Sequence, residues 1–90
     1  MRRSKREMCI DVLRAIDEGK SIPTLIMYAA NISWRPLHAE ILSHLIRKGL
    51  ITESVMDGKY SKKTKSVYYI TAKGRAVIVA QDEVARNLRL

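Results

Sequence analysis

Ninety residues make one small domain with room for a single modest core, and no apolar run approaches the eighteen or more residues that span a membrane. Seventeen Lys and Arg against nine Asp and Glu give a net charge of +8 and a pI near 10.0, a balance that suits nucleic acid or an anionic surface. The lone cysteine, Cys9, excludes an intrachain disulfide and a cysteine metal site.

The charge is segregated along the chain. Arg2, Arg3, Lys5 and Arg6 form a basic arm over residues 1–6, and Lys59, Lys62, Lys63 and Lys65 cluster between Gly58 and Ser66 with no acid among them. Glu7, Asp11, Asp17 and Glu18 gather instead on the first helix. That helix is expected over 4–18, opened by a Ser4–Glu7 capping box, carrying Met8, Cys9, Val12, Leu13 and Ile16 at helical spacing, and closed by Gly19. Cys9 falls on the apolar face and reads as a small buried hydrophobe. The MRRSKREM start lacks a following apolar stretch, so no secretory signal is expected and the chain is placed in the cytoplasm.

Ser21 and Ile22 make a short extended link, a candidate bridge of a small sheet. Pro23 begins a second helix over 23–30, with Leu25, Ile26, Tyr28 and Ala29 as candidates for its inward side. After the turn Asn31-Ile32-Ser33 comes a third helix over 34–48. Ser33 is its expected N-cap through the hydroxyl, and Pro36 falls in the first turn, where no amide donor is needed. Leu37, Ile41, Leu42 and Leu45 form its apolar face, Arg47 and Lys48 suit the negative end of the helix dipole, and Gly49 stops it. Strands follow over 50–56 and 66–71, joined by a wing over 57–65 that is too long for a tight hairpin. Thr71 caps a last helix over 72–88, on which Ala76, Val77, Ala80, Val84 and Leu88 should pack inward. Ile78 and Val79 would then face out as a dimer interface.

Helix, helix, helix, strand, strand, helix, with a basic hairpin, is an α+β and mostly helical arrangement: a winged helix-turn-helix with a three-helix core, filling residues 1–90. The runs MYAANISWRPL, LIRKGLI and VYYITAKGR then resemble archaeal winged helix-turn-helix DNA-binding regulators, including the ten-kilodalton archaeal chromatin-protein type. The elements that carry the likeness are Ile32-Ser33-Trp34, Gly49-Leu50-Ile51 and Tyr68-Tyr69-Ile70-Thr71-Ala72-Lys73-Gly74, and it covers nearly the whole chain. The resemblance implies double-stranded DNA as partner, a role in transcription or chromatin (hence a nucleoid-associated location), and a possible homodimer through the C-terminal helix. The last helix here is shorter than in the long-helix members and carries Asp82 and Glu83.

In a winged helix the third helix enters the major groove and the wing follows the backbone. Arg35, Ala39, Ser43 and Arg47 are therefore the residues expected towards bases and phosphates. Lys59, Lys62, Lys63 and Lys65 of the wing, with Arg2 and Arg3 of the arm, would add phosphate contacts. Trp34 and Tyr28 flank a turn and are read as packing residues. His38 is read as partly buried and His44 as lying outside the apolar arc; the two share no face, and no metal or other cofactor is expected. No glycine-rich phosphate loop and no defensible catalytic constellation argues for an enzyme. The alternatives are a protein-interaction module, which an apolar Ile78–Val79 face would favour, and RNA binding through the wing.

Overall fold

The computed structural model describes residues 3–57 and 64–89. Helix α1 (Lys5–Asp17) opens on a reciprocal cap: the Ser4 hydroxyl accepts from the Glu7 amide at 3.1 Å, and the Glu7 carboxylate accepts from the Ser4 amide at 3.5 Å. Val12, Leu13 and Ile16 are buried, with Met8 and Cys9 packed at the edge of the same cluster. Helix α2 (Pro23–Ala30) buries only Ile26 and Ala30, one turn apart. Leu25 is 45% exposed and Tyr28 75% exposed, against the inward orientation the sequence suggested for them; Ala29 is exposed too. Eight residues offer the core one narrow stripe, and the i, i+4 pair takes it.

Helix α3 spans 34–47 but is not one α-helix. An α-turn at Trp34–Pro36 leads into a π-helical turn at Leu37–Ile41, then α-helix over Leu42–Arg47. The π-turn closes through the Leu42 amide on the Leu37 carbonyl. Nothing in the composition of that segment announces it. Ser33 holds the N-cap position in extended backbone, yet its hydroxyl makes no capping bond, which departs from the expected cap. Leu37, Ile41, Leu42 and Leu45 are all buried, each contributing roughly 1.5–3 kcal/mol of burial free energy.

The first three helices end alike. Gly19, Asn31 and Gly49 adopt left-handed backbone, and the residue after each reaches back with its amide: Lys20 to Ala15, Ile32 to Met27, Leu50 to Leu45. Strands β1 (Ile51–Asp57) and β2 (Thr64–Ile70) pair antiparallel, with Ile51 opposite Ile70 and Met56 opposite Lys65. Among the described residues the sheet has two strands; the α1–α2 link meets it through one bond, Tyr68 amide to Ser21 carbonyl at 2.7 Å.

Helix α4 (Ala72–Asn87) begins against the link between α3 and β1. The Thr71 hydroxyl accepts from the Gly74 amide at 3.1 Å and lies within donating distance of the carbonyls of Gly49 (2.7 Å) and Leu50 (3.0 Å). The Thr71 amide donates to Leu50 and Lys73 Nζ donates to the Lys48 carbonyl at 2.9 Å. Gly74 lies so close that a Cβ there would sit 2.2 Å from the Leu50 carbonyl oxygen. Two of the motifs singled out above therefore meet face to face.

That contact sets the rotation of α4 and shifts the phase of its faces, keeping Val77 inward and Val79 outward as expected but exchanging others. Gly74 and Ile78 point inward, one turn apart, and Ile78 is 8% exposed in the core, so it cannot serve a dimer interface. Val77 packs beside it, Val79 faces out, and Ala76, Ala80, Val84 and Leu88 are exposed instead of forming the inward stripe. Apolar patterning misjudged the phase because the residue nearest the core is a glycine.

Gly74→Ala should destabilise the domain by about 3 kcal/mol, because the obstruction is a backbone carbonyl and cannot rotate away. Denaturant unfolding checks this; a loss under about 1 kcal/mol would show that the helix slides freely on its neighbour.

Candidate nucleic-acid interface

Arg35, Ala39, Ser43 and Arg47 are all exposed along the outer side of α3. The Ser43 hydroxyl lies 3.5 Å from the carbonyls of both Ala39 and Glu40, at the limit of hydrogen bonding, and so keeps its capacity for an external partner. Three further exposed residues share or extend this side: Glu40, Ile46 and Lys48. Glu40 adds an acceptor, the type that meets a cytosine amino group, and it also repels phosphate.

Trp34 is 54% exposed, which overturns its assignment as a packing residue; Tyr28 is corrected likewise by its exposure. One face of the indole stacks on His38, with ring centroids 3.8 Å apart and planes tilted by 42°. His38 is half-buried and its Nε2 is buried without a hydrogen-bond partner. The imidazole is thus a floor for the indole and is not itself presented outward. Its place beside the turn suggested packing, but the core begins one turn later, at Leu37. The detectable signal was a large aromatic at the first position of a helix whose own first turn buries nothing.

From the wing, Lys65 on β2 is exposed, across from Met56 on β1. Lys59, Lys62 and Lys63 at the tip, and Arg2 of the arm, lie outside the described residues. Arg3 has a different task from the one expected of it. Its guanidinium bonds Asp11 at 2.6 Å, the Ala30 carbonyl at 2.7 Å and the Asn31 carbonyl. It thereby ties α1 to the end of α2 and to the left-handed residue that starts the turn into α3. Basic composition alone cannot reveal this, since two of the three acceptors are backbone atoms.

The distribution of ion pairs separates two sides of the molecule. Arg3–Asp11, Arg14–Asp82 and Arg75–Asp17 all involve α1, and the last two join it to α4. Arg14 holds Asp82 below the usual carboxylate range, mainly through their hydrogen bond of 2.6 Å. Among the described residues none of these pairs takes in Arg35, Arg47, Lys48 or Lys65. Three cations are thus engaged on or against α1, while Arg35, Arg47, Lys48 and Lys65, like Lys5 and Arg6 of α1 itself, stand outside these pairs. No group of three His, Cys, Asp or Glu able to hold a metal ion occurs among the described residues, and no described helix is long and apolar enough to cross a membrane.

These features describe a winged helix with exposed cations along α3, and comparison with known proteins agrees on the class. The chain belongs to the winged helix-turn-helix family, whose pattern it matches over residues 2–88. An uncharacterized protein of Methanocaldococcus jannaschii is 35% identical over 74 residues, covering 82% of this chain and 65% of that protein. A second uncharacterized protein of the same organism is 28% identical over 86 residues, covering 96% of this chain and 36% of the relative. The chain thus spans less than two thirds of either relative's length. Among solved structures it is similar to Sso10a-2, a DNA-binding protein from Sulfolobus solfataricus, with a TM-score of 0.70 at 22% identity over 98% of this chain and 99% of that one. It also superposes on YodB of B. subtilis, with a TM-score of 0.67 at 19% identity, covering 83% of this chain and 71% of YodB. At these identities the structural likenesses establish the fold.

Arg3→Ala should cost about 1–3 kcal/mol, since it leaves Asp11 and two carbonyls without their charged donor. Amide exchange should rise at the Asn31 turn. If stability and exchange there are both unchanged, Arg3 is a solvated arm residue after all.

Proposed function

We propose that the protein binds double-stranded DNA as a transcription regulator or chromatin component, with α3 in the major groove and the wing along the backbone. One observation carries this reading: Arg35, Arg47, Lys48 and Lys65 are exposed on α3 and β2 and stand outside all the described ion pairs. Family membership and the likeness to Sso10a-2, a DNA-binding protein, support it. Arg35 and Arg47 would contact guanine edges or phosphates, Ser43 a base or phosphate, and Ala39 a thymine methyl. The wing lysines Lys59, Lys62, Lys63 and Lys65, with Arg2, would follow phosphates. Trp34 joins them, set at the N-terminal end of the reading helix with an apolar face towards a methyl or sugar. So few base-readers, with Glu40 among them, fit modest sequence preference.

A second reading, self-association through the distal half of α4, rests on Val79, Val84 and Leu88, which are 61%, 47% and 74% exposed. Ile78 has no part in it. Val84 and Leu88 also line a groove of about 490 Å³ between α4 and α1, beside Ile10. Sedimentation at high salt tests this: Val84→Glu with Leu88→Glu should convert a dimer to a monomer, and a wild-type protein that is monomeric at all concentrations would exclude it.

For DNA binding, about six neutralised phosphates predict that log affinity falls against log salt with a slope near −5. Arg35→Ala with Arg47→Ala should flatten that slope by about 2 where both meet phosphates. Trp34→Ala should weaken binding by about tenfold and leave the slope unaltered, because no charge is removed. Electrophoretic titrations against random duplex across a salt series check all three. Salt-independent binding, or none, would overturn the reading.

A further inference from the structure

A second cleft lies on the side of the molecule away from the reading face, bounded by the first half of α1, the end of α3 and the middle of α4. It encloses about 430 Å³, within the range of small-molecule sites. Its floor is apolar: Cys9, Leu13, Leu45 and Val77, of which Leu13 and Leu45 are each 1% exposed. Its polar lining is Lys5, Arg6, His44 and Gln81, and no carboxylate is among the lining residues.

The neighbouring groove between α1 and the far end of α4 provides a control within the same molecule. It shares Arg6, Ile10 and Gln81 with the cleft, yet there Arg6 and Arg14 are balanced by Glu7 and Asp11. The cleft carries Lys5 and Arg6 with no acid in its own lining, Glu7 of the same turn lying on the side of the other groove. Lys5 and Arg6 also stand in the first turn of α1, the positive end of its dipole, where a cation is unfavourable and an anion is favoured. Arg6 is not loose: its Nη2 donates to Gln81 Oε1 at 3.0 Å, which holds the guanidinium between α1 and α4. Burial pushes the Cys9 thiol up from its ordinary value, with Lys5 pulling the other way, so sulfur lines the floor as a neutral S–H.

We infer that this cleft binds a small amphipathic carboxylate, a medium-chain or aromatic acid. Its apolar body lies on Leu13, Leu45 and Val77, and its carboxylate meets Arg6 and Lys5. A guanidinium fork matches a carboxylate with two parallel bonds, and the apolar floor excludes a bare inorganic anion as the preferred occupant. His44 and Leu45 belong to α3, so the occupant touches the back of the helix that the preceding section sets against DNA. Any effect on DNA affinity rests on that reading. Occupancy itself does not, and it is measured on the free protein.

The test titrates octanoate into methyl- and amide-labelled protein, with octanol as the uncharged probe of equal length. Saturable shifts should appear at the Leu13, Leu45 and Val77 methyls, with half-saturation below about 1 mM. Octanol should bind at least about tenfold more weakly, and Arg6→Gln should lower octanoate affinity by a similar factor. Arg6 is exposed, so that variant keeps the fold. Cys9→Phe, which fills the floor, should abolish the shifts while its melting transition shows a folded domain. Octanoate should also slow the reaction of Cys9 with a thiol reagent. Equal affinity for octanol and octanoate, shifts centred on Val84 and Leu88, or no saturation at all would each overturn the proposal. Each of these results leaves the DNA-binding reading standing.

Discussion

A glycine packed against a carbonyl joins the last helix to the end of α3. Gly74 meets the Leu50 oxygen with no room for a methyl group, and Thr71 and Lys73 add hydrogen bonds to Lys48, Gly49 and Leu50. The three acceptors occupy the joint where α3 ends and the first wing strand begins. One cluster of short contacts thus fixes the end of α3, the start of β1 and the start of α4 relative to one another. Interfaces of this density do not deform continuously. The end of α3, the start of β1 and the start of α4 are therefore held at fixed angles without a partner to set them.

The same contact explains which parts of the structure the sequence disclosed. Capping at Ser4 and Glu7, the stops at Gly19 and Gly49, and the buried run Leu37, Ile41, Leu42 and Leu45 depend on local chemistry or helical period, and both are visible along a chain. The phase of α4 depends on a tertiary contact made by a residue without a side chain, so hydrophobic patterning assigned Ile78 to the surface when it belongs to the core. The π-turn at Leu37–Ile41 left no mark in composition. Arg3 read as a phosphate contact of the arm, because its acceptors are mostly backbone carbonyls, which every residue has. Trp34 and Tyr28 were misassigned because aromatic residues beside a turn usually pack, and here the core starts one turn too late to reach them.

Electrostatics divides the molecule in a way that net charge does not show. Arg3, Arg14 and Arg75 are held by acids on or against α1, so part of the basic composition is internal fastening. Arg35, Arg47, Lys48 and Lys65 on α3 and β2 stay outside it. The fastening itself has a pH limit. Asp82 has a depressed folded pKa, so its pairing with Arg14 contributes fully above the ordinary carboxylate range and is lost as the pH falls through the folded value. At neutral pH the clasp between α1 and α4 is intact.

The central claim is that the clasped helix and wing form one DNA-facing surface. Amide chemical-shift mapping with a short duplex at low salt tests it most directly. The account predicts perturbations confined to 34–48 and the distal ends of β1 and β2, with α1 and the outer side of α4 silent. Perturbations centred on α1 or the exposed end of α4, with α3 unchanged, would contradict it.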